Sequence, residues 1–449
     1  MKKHHFLFLL ILIPSVVRTQ VDVPFEKYVL PNGLNVILHE DHSVPIVGVN
    51  VWYHVGSGRE KPGKTGFAHL FEHMMFQGSG HVGKGDHFKL LQEAGGTLNG
   101  STNTDRTNYW EIVPSNFLEL ALYLESDRMG FLLDAMDQPK LDNQRDVVKN
   151  ERRQNYENQP YGLAGKLINE SLYPPDHPYH WLTIGTQEDL SNASMEDVSD
   201  FFRHYYGPNT ASLCVGGDID VKKTKELVEK YFGELKKIPK VPRIEPRPVT
   251  VRGKKYLMME DRVQLPRLYM VWPSVENYGT DDAELDLLAS VLASGKNSRL
   301  YKSLVYERQI AQDVNALQFG GEVTGQFRVV VTAKPGHTLK ELETAVDEII
   351  ESVKKEGIDD RELERAINGF KANFVYQLQS VGGFGGRTDV LNQYNVYLGD
   401  PGYFSKDLER YEDAGADDVH KVAQKYLKPD GRVILSVVPM GKKELRAGG

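Results

Sequence analysis

The sequence His69-Leu70-Phe71-Glu72-His73 restricts the fold and chemistry of this chain more than any other stretch. On an α-helix His69 and His73 share a face, because they are four residues apart, and their imidazoles can bind one metal ion. Glu72 lies at the flank of that face, where its carboxylate can reach a water on the metal. Two imidazoles, one further carboxylate and an open fourth position are typical of a catalytic zinc site. The order H-x-x-E-H, the reverse of H-E-x-x-H, therefore predicts a zinc-bearing helix.

The same stretch also fits a helix without chemistry. Its apolar residues Leu70, Phe71, Met74 and Met75 could pack in the core while both histidines face solvent. A third ligand elsewhere in the chain is needed to separate the two interpretations.

A second predicted helix offers that ligand. Its apolar stripe is formed by Leu141, Val147 and Val148. Glu151 follows one helical turn later, so we expect its carboxylate to point along the buried face. A buried carboxylate must be paired or bound to a metal ion. Glu151 is therefore the candidate third ligand, and an ion pair with Arg152 or another neighbour is the alternative.

Length, charge and cysteine content limit the class of protein. The chain has 449 residues, a net charge of -8 at pH 7 and a single cysteine, Cys214. This length corresponds to roughly two to four domains. The acidic charge, with no basic stripe of interleaved aromatic residues in the sequence, argues against a nucleic-acid-binding protein. Cys214 cannot form an intramolecular disulfide, and its apolar neighbours indicate a core position.

Residues 1–20 have the pattern of a secretory signal peptide. Lys2 and Lys3 precede the apolar run Phe6 to Val17, which is too short to span a membrane as a helix. An uncleaved anchor is the alternative. The segment predicts export through the inner membrane, with the periplasm as the expected location. The sequence contains no second long apolar segment, so we expect no stable membrane span beyond the signal segment.

The second half of the chain repeats the first. Met195 to Asp218 aligns with Ala416 to Pro439 at a constant offset, and Val51-Trp52 recurs as Val271-Trp272. This pattern indicates internal duplication. The second copy of the metal helix is expected to lack the zinc ligands, since the residues that match His69, Glu72 and His73 there are Asp286, Ala289 and Ser290.

Four prolines among basic residues mark the predicted domain boundary. They occupy positions 239, 242, 246 and 248, and this composition favours an extended linker. We therefore expect a zinc-binding domain at residues 24–238, a linker at residues 239–252 and a homologous inactive domain at residues 253–449.

Together these features resemble the pitrilysin/insulinase family of inverted-zincin metallopeptidases, in the compact two-domain form related to the subunits of mitochondrial processing peptidase. The resemblance is carried by the stretch from His69 to Met74 with Phe76, by Asn99 to Tyr109 and by Val147 to Arg152. It extends from about Pro24 to the C-terminus. It implies an α+β fold with two homologous domains, each a mostly antiparallel sheet packed against helices.

The resemblance also implies the residues of the site. One zinc ion per chain would be bound by His69, His73 and Glu151, with Glu72 as the general base. An edge strand beside the site would receive the substrate as an added strand, and its residues are Asn99, Gly100, Ser101 and Thr102. Two such chains would close into a chamber that admits peptides or unfolded polypeptide segments.

Two positions depart from the family pattern. Gln144 stands where members often carry a glutamate, and Val305 and Gln312 stand where self-sufficient members carry a substrate-gripping Arg and Tyr. The nearby Arg299 and Tyr301 fit helix packing better than that role. We therefore expect a zinc-bearing subunit that pairs with a homologous partner as a heterodimer, with a homodimer as the alternative.

Two other functions fit parts of the sequence. A non-catalytic assembly or scaffold subunit of the same family is the main alternative, and the intact set of ligands argues against it. A solute-binding protein would explain the export signal but not the metal motif.

Overall fold

Two β-sheets form the framework of the protein. The computed structural model describes residues 21–448, and the predicted signal peptide at residues 1–20 lies outside this range. Within that range the strands are β1 (Glu26–Val29), β2 (Asn35–Glu40), β3 (Ile46–Tyr53), β4 (Thr97–Thr102), β5 (Thr107–Pro114), β6 (Ala211–Gly217), β7 (Lys254–Asp261), β8 (Arg267–Ser274), β9 (Ala311–Gly320), β10 (Gly325–Ala333) and β11 (Arg432–Pro439).

Helices fill the connections between these strands. They are α1 (Phe67–Met74), α2 (Asp86–Glu93), α3 (Leu118–Phe131), α4 (Gln138–Arg152), α5 (Ala164–Leu172), α6 (Gln187–Asn192), α7 (Met195–Tyr205), α8 (Val221–Phe232), α9 (Asp282–Ala293), α10 (Leu339–Glu356), α11 (Asp360–Gln377), α12 (Arg387–Leu398), α13 (Phe404–Glu412) and α14 (Ala416–Tyr426). In residues 21–448 no helix combines the length and the apolar character that crossing a membrane requires.

The strand order of the two sheets shows the duplication directly. The first sheet has the order β1-β2-β6-β3-β5-β4 and the second β7-β11-β8-β10-β9. Without β1 the two orders match strand for strand. Each sheet contains one parallel pair, β2 with β6 and β7 with β11, and its other pairs are antiparallel. The predicted α+β fold with two homologous, mostly antiparallel sheets is confirmed.

The central strand β3 explains how the first sheet is covered. Its alternate residues Val47, Val49, Val51 and Tyr53 enter the core that the sheet forms with helices of its own half. The intervening residues, Trp52 among them, are also buried, because a helix from the second half covers the opposite face. The sequence of a strand that is covered on both faces is a nearly continuous apolar run.

The two halves exchange helices. Helix α12 of the second half packs on β3 and β6, whereas α5 of the first half packs on β7 and β11. The α5 contact is apolar and joins Ile168 and Leu172 to Val433 and Leu435. Residues 235–252 contain neither helix nor strand, so the predicted linker separates the sheets. The packing of the two halves does not follow this boundary, because α5 precedes the linker in the chain but packs on the second sheet.

The α12 contact is polar where it crosses the first sheet. One oxygen of the buried Asp389 accepts hydrogen bonds from Trp52 Nε1 at 2.7 Å, Asn108 Nδ2 at 3.0 Å and Asn50 Nδ2 at 3.3 Å. The other accepts from the Gly385 N–H at 2.8 Å. A buried carboxylate needs such partners, and the donors equally need the carboxylate. This side chain therefore links α12 of the second half to two strands of the first sheet.

We expect Asp389→Ala to lower the free energy of unfolding by about 3 kcal/mol, because several buried donors lose their acceptor. The measurement is a urea titration followed by tryptophan fluorescence. The exposed Asp430→Ala is the control and should change the value by less than about 0.5 kcal/mol. Equal midpoints for Asp389→Ala and wild type would contradict this account.

Candidate metal centre

Helix α1 is fixed at its start and along one face. The residue before it is Gly66, which has a φ of 87°, and a Cβ atom there would lie 2.7 Å from the Ile184 carbonyl oxygen. The Glu60 carboxylate accepts hydrogen bonds from the N–H groups of Gly66 at 2.9 Å and Ala68 at 2.8 Å, so it caps the free donors of the helix. The residues expected to be apolar core are all buried in the first core: Leu70, Phe71, Met74 and Met75.

The opposite side of α1 presents the histidines. The His69 side chain is 13% exposed and that of His73 is 24% exposed, so neither is a freely solvated surface residue. Their ring centroids are 4.8 Å apart. The histidines therefore form part of a partly enclosed site.

Helix α4 brings a carboxylate to both rings. Glu151 Oε2 lies 3.3 Å from His73 Nε2 and 3.8 Å from His69 Nε2, and the possible ligand atoms of the three residues lie within 4.8 Å of one another. Tetrahedral ligands about 2.0–2.1 Å from zinc are about 3.3 Å apart. The donor set and its spacing fit a single zinc ion.

The face of α4 that carries Glu151 differs from the predicted one. Leu141 and Val148 are fully buried, but Val147 is 39% exposed, so its place in the buried stripe was wrong. On a helix Val147 points about 100° away from Val148, whereas Leu141, Val148 and Glu151 share a side. The alternative ion pair with Arg152 is absent among the described residues, since Arg152 pairs with Glu157 at 3.0 Å.

Charge in the site suits metal binding. Burial lowers the pKa of His69 to about 4, so its imidazole is neutral at pH 7, as a metal ligand requires. The hydrogen bond with His73 lowers the pKa of Glu151 and keeps this carboxylate ionised. Two imidazole nitrogens and one anionic oxygen therefore face the same point.

Glu72 lies beside this donor set and faces the strand β4. Its Oε2 accepts a hydrogen bond from Thr102 Oγ1 at 2.6 Å. A Cβ atom at Gly100 would lie 3.2 Å from Glu72 Oε1, so only a glycine leaves the carboxylate undisturbed. Burial raises the pKa of Glu72, which is the direction that strengthens a carboxylate as a proton acceptor.

Strand β4 is the open edge of the first sheet, because it pairs only with β5. The Asn103 N–H donates to the Arg106 carbonyl at 3.0 Å. Since hydrogen-bonded pairs alternate along antiparallel strands, Asn99 and Ser101 bond to β5. The backbone groups of Gly100 and Thr102 therefore point out of the sheet. At this edge the Gly100 N–H donates to the Asn99 side-chain oxygen at 2.8 Å.

A cleft of about 540 Å³ joins these parts. It brings together all residues that the sequence assigned to the site, and it adds an aromatic and polar wall. Its lining is His69, Glu72, His73, Phe76, Gln77, Phe88, Asn99, Gly100, Ser101, Thr102, Gln144, Glu151, Tyr156, Thr183 and Ile184.

A second buried polar cluster was not anticipated. His87, Glu111 and Glu125 form a second group of possible metal donors. The guanidinium of Arg128 already contacts both carboxylates, and it lies 4.1 Å from the centre of the Tyr109 ring. This cation makes the cluster an internal charge network. The available signal was the inward-facing position of Glu111 on β5.

The described part of the second half, residues 253–448, contains no equivalent site. Asp286, Ala289 and Ser290 lie on α9, and Asp286 accepts a hydrogen bond from Tyr411 at 2.8 Å. Both groups of metal donors found within residues 21–448 belong to the first half.

Neither position of the expected substrate-gripping pair carries an Arg or Tyr. Val305 packs against the second core, whereas Gln312 is exposed on β9. Arg299 is held by Glu362 at 2.6 Å, so this arginine serves helix packing.

Comparison with known families matches both halves of the chain. Residues 35–173 match the family model described as Insulinase (Peptidase family M16). Residues 192–370 match the one described as Peptidase M16 inactive domain. Together these segments span more than half of the sequence.

Known proteins resemble the chain over nearly its whole length. The zinc protease PqqE of Helicobacter pylori is 28% identical over 427 residues, which are 94% of each chain. The uncharacterized zinc protease YmxG of Bacillus subtilis is 24% identical over 79% of this chain and 85% of its own. A crystal structure of a protease from Helicobacter pylori has a TM-score of 0.85 and 26% identity, with 93% of this chain and 100% of that chain covered.

We expect Glu151→Gln to lower zinc affinity by at least about 100-fold, because the site loses its anionic ligand. The measurement is zinc content after dialysis against a graded chelator. Asp146→Asn changes an exposed carboxylate on the same helix and should retain zinc. Equal zinc retention by both variants would rule out Glu151 as a ligand.

Proposed function

We propose that this chain, which belongs to peptidase family M16 (the insulinase family), is a zinc-dependent endopeptidase that acts on peptides or unfolded protein segments. The convergence of His69, His73 and Glu151 next to Glu72 carries this proposal. Homologues that are named zinc proteases support it at the family level.

The residues of the site have two separate roles in hydrolysis: metal binding and proton transfer. His69, His73 and Glu151 would hold one zinc ion. When bound, the ion supplies Lewis acidity that activates a water and polarises the scissile carbonyl. Glu72 accepts the proton of the attacking water and passes it to the leaving amine. Its burial beside the donor set keeps this proton transfer away from bulk solvent.

The substrate adds to β4 as a further strand. The outward backbone groups of Gly100 and Thr102 offer hydrogen bonds to a peptide main chain. Such recognition depends little on side chains, so it suits unfolded segments of varied sequence. The Asn99 side chain, which now covers the Gly100 N–H, must move aside for this pairing.

A partner chain completes the site in our proposal. Val305 and Gln312 cannot grip a substrate as an Arg and a Tyr would. We propose that a homologous chain supplies this pair across a closed chamber and forms a heterodimer with this zinc-bearing subunit. The N-terminal segment, residues 1–20, supports a periplasmic location for the assembly.

We expect Glu72→Gln to keep one zinc ion per chain and to lower turnover by at least about 100-fold, because the proton acceptor is lost. The measurements are zinc analysis and cleavage of a mixture of quenched fluorescent peptides. Glu93→Gln, an exposed change on α2, is the control and should keep wild-type turnover. Full activity of Glu72→Gln would remove Glu72 from its role. A wild-type chain without zinc would instead indicate a scaffold subunit.

We expect the purified chain to cleave peptides slowly alone and at least about tenfold faster with a homologous chain that carries the Arg and Tyr, because transition-state contacts are then restored. Light scattering gives the mass of the complex, and the peptide assay gives the rate. A homologous chain with both residues changed to Ala is the control. A full rate for the lone chain, with no gain on mixing, would contradict the heterodimer.

A further inference from the structure

We infer that Thr102 is a positioning residue that couples the docking of a substrate strand to the orientation of Glu72. This inference rests on the proposed peptidase function. It assigns to one residue two tasks that are usually separate, since the backbone of Thr102 faces the substrate while its side chain holds the general base.

The side chain of Thr102 is the first part of the argument. Its Oγ1 donates to Glu72 Oε2 at 2.6 Å. Within residues 21–448 this is the only hydrogen bond made by the Glu72 side chain, which is nine-tenths buried. The orientation of the Glu72 carboxylate therefore depends on one hydroxyl group.

An ionised carboxylate can only accept, so Thr102 is the donor in this hydrogen bond. Thr107 Oγ1 lies 3.4 Å from Thr102 Oγ1, and it donates its single hydrogen to the Val55 carbonyl at 2.9 Å. Thr107 can therefore only accept from Thr102, and the Thr102 hydrogen goes to the nearer Glu72 carboxylate oxygen. When Glu72 has accepted a proton, the Thr102 oxygen can accept from it and turn its own hydrogen towards Thr107. The same contact thus supports Glu72 before and after proton transfer.

The backbone of Thr102 is the second part. Thr102 and Thr107 face each other on β4 and β5. This pair falls between hydrogen-bonded pairs, so the N–H and C=O of Thr102 point to the open edge. A peptide that adds to the edge bonds to these groups and fixes the Thr102 backbone. The hydroxyl, one short side chain away, is fixed with it.

Gly100 lies next to the second oxygen of the Glu72 carboxylate, Oε1. Its Cα presents no side chain to Glu72 Oε1, where a Cβ would lie at 3.2 Å. The β4 residues that face outward to the substrate are therefore the same residues that border both oxygens of Glu72. A shift of β4 would change both of these contacts with the Glu72 carboxylate. We therefore expect substrate binding at this edge to change the rate of the chemical step.

The test compares Thr102→Val with Thr102→Ser in the full chain with its zinc. Thr102→Val preserves the backbone and the shape of the residue but removes the hydroxyl. We expect kcat to fall about 10- to 100-fold, with KM within about twofold of wild type and one zinc ion per chain. Thr102→Ser should restore most of kcat. Thr250→Val makes the same change at an exposed position of the linker outside the cleft and should leave both constants unchanged.

Several outcomes would overturn the inference. They are an unchanged kcat in Thr102→Val, a rise of KM alone, loss of zinc, or no rescue by Thr102→Ser. A wild-type chain without peptidase activity, alone or with its partner, would instead refute the proposed function. A crystal structure of Thr102→Val tests the positioning role without turnover, because the Glu72 carboxylate is expected to leave its place beside Gly100. An unchanged Glu72 conformation there would also overturn it.

Discussion

The packing of α1 against the first sheet is the interaction on which the candidate site depends. Burial of Leu70, Phe71 and Met74 contributes about 1.5–3 kcal/mol for each side chain, more than a typical single hydrogen bond in the site. Because this face of α1 is held in the core, His69 and His73 must face α4, and Glu72 must face β4. The polar chemistry is thus positioned by apolar contacts that take no part in it.

The duplication separates what the fold requires from what the chemistry requires. Helices α1 and α9 occupy equivalent places, since α1 contacts β4 and α7 while α9 contacts their counterparts β9 and α14. Both helices bury an apolar face. Only α1 presents imidazoles on its other side, whereas Asp286 on α9 is engaged by Tyr411. A few side chains outside the core therefore distinguish the copy that has a candidate metal centre from the copy that has none in the described residues.

Local spacing could be predicted from the sequence, but contacts between distant segments could not. The shared face of His69 and His73 follows from helix geometry alone. Glu151 was identified by its inward position, although Val147 was assigned to the wrong side, and the arrangement of sheets came from family resemblance. The bond from Thr102 to Glu72 joins a strand and a helix 30 positions apart. The charge network around Arg128 likewise needs β5 and α3 to meet, and neither pairing is encoded in a local pattern.

The exchange of α5 and α12 has a consequence for how this chain is related to a simpler ancestor. Each sheet is completed by a helix that belongs to the other repeat, which is the arrangement found in a domain-swapped dimer. Joining the two subunits through residues 235–252 gives one polypeptide with the same contacts. The linker then raises the effective concentration of one repeat around the other, and it does not change the contacts between them. Each repeat covers one face of the other repeat's sheet, so a substitution in α5 or α12 acts on the repeat that does not contain it.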